Sequence, residues 1–151
     1  MTVLAPPRIV HLDPVDHGLV DPTGGSRDLD TMLERARAAE TDGAALVVVP
    51  AGPRSPSDPA PAGHHWPSTA QALAVLLATS SVRVVVGVHP EAWEPAALAR
   101  FARSASGLAG DRLVLQVCGP EAGAFALAVG RRWAGPVVVG DAGLHALVQH
   151  A

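Results

Sequence analysis

The sequence predicts an α/β protein whose parallel sheet is built from about five βα units. Short runs of β-branched residues alternate with longer segments that have helical spacing. The runs are apolar throughout rather than alternating, which is typical of strands buried on both faces of a parallel sheet. Strands that follow one another through a helix are expected to lie parallel, with right-handed crossovers.

The N-terminal third contains two predicted strands and one predicted helix. Ile9–Leu12 is a short apolar run and is predicted as the first strand, whereas Asp13–Arg27 is rich in Pro, Gly and Asp, which indicates a loop. Asp28–Thr41 is predicted as a helix because its apolar residues recur on one helical face, and Asp42-Gly43 ends it. Ala45–Val49 is an uninterrupted apolar run and is predicted as the second strand.

The middle of the chain begins with a second long loop. Pro50–Pro67 is dense in Pro, Gly and Ser, which indicates irregular structure. Ser68–Thr79 is an apolar segment predicted as a helix, with its first serine as the cap. Val82–Val88 is predicted as the third strand, and Glu94–Ala109 as a helix with a proline in its first turn.

The C-terminal third completes the alternation. Leu113–Val117 is predicted as the fourth strand, and Glu121–Trp133 as a helix that ends before Gly135. Pro136–Val139 is predicted as the fifth strand and Gly143–His150 as a short final helix.

Composition limits the classes of protein that this chain can belong to. A length of 151 residues fits a single domain, 1–151. The net charge is −3 and the basic residues are scattered, so we expect no nucleic-acid partner. The single cysteine, Cys118, fits a reducing compartment, and we find neither a signal peptide nor an apolar run long enough for a membrane helix. We therefore expect a cytoplasmic protein without membrane contact.

Periodicity leaves two architectures open. One is an open, doubly wound sheet of flavodoxin type. The other is the first part of a (β/α)₈ barrel, which normally needs about 250 residues for closure. No GxGxxG or GxxxxGK[ST] motif follows any predicted strand, so no nucleotide fingerprint favours the open sheet.

A family resemblance favours the barrel. The stretch 94–117, EPAALARFARSASGLAGDRLVLQV, resembles the luciferase-like flavin-dependent monooxygenases, whose pattern is roughly EPxxLARxxAxxxxLSxGRxxLxV. Upstream, LERARAAETDGAALVVVP and WPSTAQALAVLLATSSVRVVVGV are similar to the first helices and strands of that family. The resemblance covers about 33–117 and implies a partial (β/α)₈ barrel, in which the matched Glu94, Pro95 and Arg112 are expected to be scaffold.

The resemblance also implies a class of function. Family members use reduced FMN and oxygen, or the deazaflavin F420, to oxidise or reduce small organic molecules. We therefore expect a truncated flavin-dependent oxidoreductase that acts on a small organic substrate, either alone or only with a partner chain. The alternatives are a catalytically silent subunit that binds or stabilises a full-length homologue, and an unrelated α/β domain that binds a small molecule.

Candidate site residues stand where the predicted strands end, because ligands of parallel α/β proteins bind there. Family members often have an Asp after the second strand, a polar residue after the third and an Asn near the end of the fourth; the matching residues are Ala51, His89 and Gln116. Gln116 keeps an amide that can donate and accept, whereas Ala51 has no polar group. The resemblance thus implies that FMN or F420 would contact Ala51, His89, Gln116 and the adjacent Cys118.

The remaining histidines and the cysteine have different expected roles. His89 is the first candidate for acid–base catalysis, and His17, which follows His11 in a loop, could flank a substrate. Cys118 is expected to be a half-buried thiol, because Glu121 nearby is acidic and no base lies close in sequence. We expect no metal site: His64 and His65 are adjacent, and no third ligand follows at a useful spacing.

An unclosed five-stranded sheet would leave apolar side chains and strand edges uncovered. We expect a second copy, a full-length partner or a rearranged fold to cover them. The helix 68–79 presents Leu73, Leu76 and Leu77, and the resemblance implies pairing through helices of this region. The expected assembly is a homodimer or a hetero-oligomer with a longer homologue.

Overall fold

The computed structural model describes residues 7–13, 16–18, 24–52 and 63–149. Within 16–18, 24–28 and 63–65 it describes the backbone only. Residues 14–15, 19–23 and 53–62 of the two predicted long loops lie outside the described residues.

Strands and helices alternate along most of the described chain. The strands are β1 (Ile9–His11), β2 (Asp16–Gly18), β3 (Leu46–Val49), β4 (Gly63–His65), β5 (Arg83–Val88), β6 (Leu113–Val117) and β7 (Val137–Val139). The helices are α1 (Gly24–Thr41), α2 (Ser68–Ala78), α3 (Pro95–Ala109), α4 (Ala122–Gly130) and α5 (Gly140–Gln149), with a 3₁₀ turn at Pro90–Ala92. Within the described ranges, no helix is both long enough and apolar enough to cross a bilayer.

The main sheet has the strand order of a barrel. Its five strands follow the order β1-β3-β5-β6-β7, and every neighbouring pair is parallel. A doubly wound sheet of flavodoxin type would instead place its first strand between two later ones. The sheet is not closed, because β1 and β7 both lie at its edges. The protein therefore has the predicted α/β fold with a partial barrel.

The two faces of the sheet have different covers. Outward side chains such as Val47, Val86 and Leu115 share one core with the buried faces of α1 to α4. The intervening residues point to the opposite, inner face, where Leu144 and Val148 of α5 cover them. The inner-face core consists of Leu46, Val48, Val85, Val114, Leu144 and Val148.

This inner position of α5 covers side chains that would otherwise face water. In a closed barrel the inner face is packed by side chains from the remaining strands. Here α5 follows β7 without an intervening loop, and Gly140 at the junction has a φ of 60°. A positive φ costs glycine little, so the chain can reverse there and lay α5 on the inner face. A second copy, a full-length partner or a rearranged fold was expected to cover the sheet. In the described part of the chain, a rearranged fold does so on the inner face.

Two predicted loops are partly wrong. Asp16–Gly18 and Gly63–His65 pair as an antiparallel two-stranded sheet, β2 with β4. Both strands lack the β-branched residues that mark strands in a sequence, which is why the sequence predicts loops there. Helix α1 also begins at Gly24 rather than Asp28, although Gly-Gly-Ser-Arg has a low helix propensity.

Arg112, just before β6, connects the ends of α2 and α3 with the segment that precedes β5. Its guanidinium donates hydrogen bonds to the carbonyl oxygens of Leu76 and Thr79 at the end of α2, of Val82 before β5, and of Ala109 at the end of α3. It also donates to the Thr79 hydroxyl at 3.1 Å. The last turns of helices leave carbonyl groups without intrahelical partners, and Arg112 satisfies several of them. Its predicted scaffold role is thereby confirmed.

Candidate functional site

The ends of β3, β5 and β6 come together at one edge of the inner face. Gly87 of β5 is paired with Gln116 of β6, and both have the parity of the inward residues. Ala51 follows β3, and its backbone crosses directly over Gly87. A Cβ at position 87 would lie 2.5 Å from the Ala51 nitrogen, so the crossing requires glycine.

Gln116 is buried at this edge and already has a partner. Only 5% of the residue is exposed, and its Nε2 donates to Oδ1 of Asp141 at 3.1 Å. Asp141 lies in the first turn of α5. The helix that covers the inner face thus also engages the amide that the resemblance assigns to the flavin ring.

His89 lies one residue beyond β5 and faces a separate cavity. Its Nε2 is 2.9 Å from the carbonyl oxygen of Gly52, which can only accept, so Nε2 carries the proton. Nδ1 is buried and has no hydrogen-bond partner within the described chain. In the neutral imidazole Nδ1 is then an acceptor. The cavity has a volume of about 180 Å³ and includes Trp66 and Trp93 in its lining.

Three further candidate residues, Cys118, His11 and His17, lie at different distances from this edge. Cys118 is half-buried, as expected, with its Sγ 3.9 Å from the carbonyl oxygen of Gln116. His11 ends β1 and is exposed. His17 belongs to β2, where its register partner is His64 of β4; the backbone places it there, outside the five-stranded sheet.

Two features of the site were not found in the sequence. Trp66 and Trp93 line the His89 cavity, where Trp66 directly follows β4 and Trp93 directly follows the 3₁₀ turn. The only sequence signal is that two of the three tryptophans flank predicted elements near strand ends. Asp141 follows the predicted fifth strand by two residues, but its bond with Gln116 depends on where α5 lies.

In this arrangement the residues do not fit a bound flavin. A ring in contact with Gln116 would have to displace Asp141 and the first turn of α5. The His89 cavity, at about 180 Å³, is smaller than the roughly 300–1,000 Å³ of sites for cofactor-sized ligands. Ala51 offers no side-chain hydrogen bond.

Comparison with known proteins identifies the family. A family model described as luciferase-like monooxygenase matches residues 8–136. Among solved structures, EDTA monooxygenase (EmoA) from Chelativorans sp. BNC1 superposes with a TM-score of 0.57 at 17% identity, over 92% of this chain and 34% of that one. Apo-MsnO8 superposes with a TM-score of 0.58 at 20% identity, over 84% of this chain and 37% of that one. No curated protein sequence gives a significant match.

These comparisons settle the family and the fold. The chain spans about a third of the length of either structural neighbour, and identities of 17% and 20% show the fold alone. The family model, in contrast, spans most of the chain, from before β1 to the start of β7. Proteins of this family generally use a reduced flavin and act on small molecules. The chain belongs to the luciferase-like monooxygenase family.

Proposed function

We propose that this chain is a partner-dependent, flavin-type oxidoreductase subunit that acts on a small organic substrate, with FMN or F420 as its cofactor. The observation that carries the proposal is the family match over residues 8–136, which includes every strand that contributes Ala51, His89 or Gln116. Both structural neighbours whose fold this chain shares are longer, and in this proposal a partner supplies the parts of the site that the chain does not span.

Within that proposal the polar residues have distinct roles. The amide of Gln116 could donate to and accept from a flavin ring once Asp141 has moved away. His89, which follows β5 and lines the nearby cavity, is the candidate acid–base group, with His17 as the second candidate. Cys118 lies beside Gln116 and would contact the same ligand.

A second candidate function is a catalytically silent subunit that binds or stabilises a longer homologue. Two observations favour it. Gln116 is sequestered by Asp141, and Ala51 stands where family members often have an Asp. Both changes remove polar contacts from a flavin without disturbing the sheet.

A flavin titration separates the two candidates. The purified chain, alone and then co-expressed with a longer luciferase-like homologue, is titrated with FMN and with F420 while flavin fluorescence is recorded. The first candidate expects little binding by the chain alone and stoichiometric binding by the complex, at a site that Gln116→Ala weakens several-fold. The silent subunit would be favoured if the homologue alone bound flavin with the same affinity as the complex, and if Gln116→Ala in this chain left the affinity of the complex unchanged.

A further inference from the structure

A larger cavity lies at the end of the sheet where strands β6 and β7 begin. It has a volume of about 570 Å³, within the roughly 300–1,000 Å³ of sites for small ligands. Leu113, the first residue of β6, and Pro136, the residue before β7, both line it. The cavity is therefore at the opposite end of the sheet from Gln116 and His89, and it takes no part in the proposed flavin site.

Part of the cavity lining is apolar and is held in place by the fold. Leu113 and Trp133 are both buried. The backbone N–H of Trp133 donates to the carbonyl oxygen of Val129 in α4 at 3.0 Å. The Trp133 ring lies against Gly135, where any Cβ would collide with the indole. Because these contacts fix the lining within the folded chain, binding of a ligand requires little further ordering of it.

The same cavity also has a positively charged lining. Arg103 on α3 and Arg132 after α4 both line it, and both residues are exposed. Nη1 of Arg103 donates to the carbonyl oxygen of Arg132 at 2.6 Å, so the Arg103 side chain reaches from α3 to that segment. Within the described part of the chain, neither arginine forms an ion pair. A guanidinium has several N–H groups, so Arg103 keeps donors for a ligand after this bond.

We infer that this cavity binds a small organic anion, with an apolar body on the buried lining and a carboxylate or phosphate group on the Arg103 guanidinium. A guanidinium binds either group through parallel, charge-assisted N–H···O bonds. The whole chain has a net charge of −3, so the attraction is local to the cavity rather than general to the surface. Asp111 also lines the cavity, and its carboxylate opposes an anion.

This binding requires no flavin and no partner chain. The inference therefore does not rest on the proposed function, and either of the two can fail while the other holds.

The first test compares benzoate, phenyl phosphate and benzyl alcohol, which share a benzene ring and differ in charge. The ¹⁵N-labelled full chain is titrated with each at pH 8 and low salt. We expect both anions to give saturable shifts of the Ser106 and Asp111 amide signals and the Trp133 indole signal. Benzyl alcohol should bind about tenfold more weakly, because it lacks the charge-assisted bonds. The indole signals of Trp66 and Trp93, which line a different cavity, are the internal control.

Two outcomes of this titration would overturn the inference. One is equal affinity for the anions and for benzyl alcohol. The other is a set of shifts centred on Gly123 and Leu127, since Trp133 also lines the groove along α4 and the ligand would then lie there. Saturable binding of either anion at Ser106 and Asp111 supports the inference, and the tighter of the two identifies the head group.

The role of Arg103 is tested with a matched pair of variants. Arg103→Met keeps an apolar side chain and removes the charge, so benzoate should bind about threefold to tenfold more weakly while benzyl alcohol is unaffected. Arg100→Met, at an exposed position earlier on α3 and outside the cavity lining, should change neither affinity. A benzoate affinity that Arg103→Met leaves unchanged would overturn the assignment.

A charge change at Asp111 gives an effect of the opposite sign. Asp111→Asn removes a negative charge from the lining, so benzoate should bind up to about threefold more tightly, and the gain should shrink as salt is added. If Arg103→Met does not fold, an unchanged benzoate affinity in Asp111→Asn would overturn the assignment in its place.

Discussion

At the scale of single residues, two charged side chains hold together segments that are distant in sequence. Arg112 connects the ends of α2 and α3 to the start of β5. Glu40, near the end of α1, accepts hydrogen bonds from the backbone N–H groups of Ser80, Ser81 and Val82. Both side chains bond mostly to backbone groups at the ends of elements, which explains why their effect is on the scaffold rather than on chemistry.

Replacing Arg112 should destabilise the fold strongly. Arg112→Ala removes five hydrogen bonds and leaves the carbonyl groups of Leu76 and Val82 without this donor. We expect a loss of about 2–3 kcal/mol in the free energy of unfolding, measured with urea. Arg112→Lys should recover only part of it, since an ammonium cannot reproduce the fork of donors. Arg100→Ala, exposed on α3, is the control, and an equal effect of the two alanine variants would contradict this role.

Glu40 should make stability depend on pH in the acid range. Hydrogen bonds from the N–H groups of Val82, Ser81 and Ser80 lower the pKa of Glu40 from 4.5 to about 2. A depressed folded-state pKa contributes stability above the unfolded value, and that contribution is lost as pH falls from about 4.5 towards 2. The carboxylate is exposed, so we expect about 1 kcal/mol.

The measurement compares urea unfolding of wild type and Glu40→Gln at pH 7 and pH 3. The variant should be less stable at pH 7, and the difference should shrink at pH 3. Glu34→Gln, an exposed position on the same helix, should change little at either pH. A stability difference between wild type and Glu40→Gln that is the same at both pH values would show that the carboxylate charge has no part in it.

At the scale of elements, α5 and α4 are contrasting helices. Helix α5 buries Leu144 and Val148 on the inner face of the sheet, in the position that a closed barrel gives to other strands. Helix α4 packs on the outer face with Phe125 and Val129, and its nine residues include no charged side chain, even on the exposed side. Leu127 on that side is 67% exposed.

A matched pair of leucine substitutions tests this contrast. Leu144 is 1% exposed, so Leu144→Ala should cost about 2–4 kcal/mol of unfolding free energy and speed amide hydrogen exchange in α5. Leu127→Ala removes the same atoms from an exposed position and should cost less than about 0.5 kcal/mol in the monomer. If Leu144→Ala were as mild as Leu127→Ala, α5 would not be seated on the inner face in solution.

At the scale of the whole molecule, coverage of the sheet is uneven. The described chain covers the inner face with α5, yet β7 remains an edge strand, and Val139 is 43% exposed beside a groove of about 590 Å³ along α4. Of the three leucines expected at an oligomer interface, Leu76 is buried, Leu73 packs against the core and Leu77 is exposed. Self-association or a hetero-oligomer therefore stays a prediction, with two surfaces that could mediate it.

Light scattering at micromolar concentration distinguishes these surfaces. We expect a mass above the 15.4 kDa of one chain. Leu127→Glu should lower the mass if the α4–β7 surface mediates association, and Leu77→Glu should lower it if α2 does. A monodisperse wild-type monomer would contradict self-association, and would leave a longer homologue as the remaining partner.

The five parallel strands, the order of their helices and the family can all be predicted from the sequence, because they depend on patterns within single segments. The β-branched runs and the stretch 94–117 carry that information locally. Even the scaffold role of Arg112 followed from its place in that stretch. The bounds of β6 were predicted to the residue, since both of its ends are marked by the composition of the flanking turns.

The contacts of each face of the sheet depend on how the elements pack and cannot be predicted from the sequence. A periodic pattern indicates that α5 has an apolar side. Which face of the sheet α5 packs against depends on the turn at Gly140 and on which apolar side chains would otherwise be exposed to water. The bond between Gln116 and Asp141 follows from that placement. Chain crossings such as Ala51 over Gly87 are likewise tertiary features, as is the burial of His89 Nδ1 without a hydrogen-bond partner among the described residues. Such contacts join residues that are far apart in the chain, and no local pattern encodes them, because they depend on how complete elements pack in space.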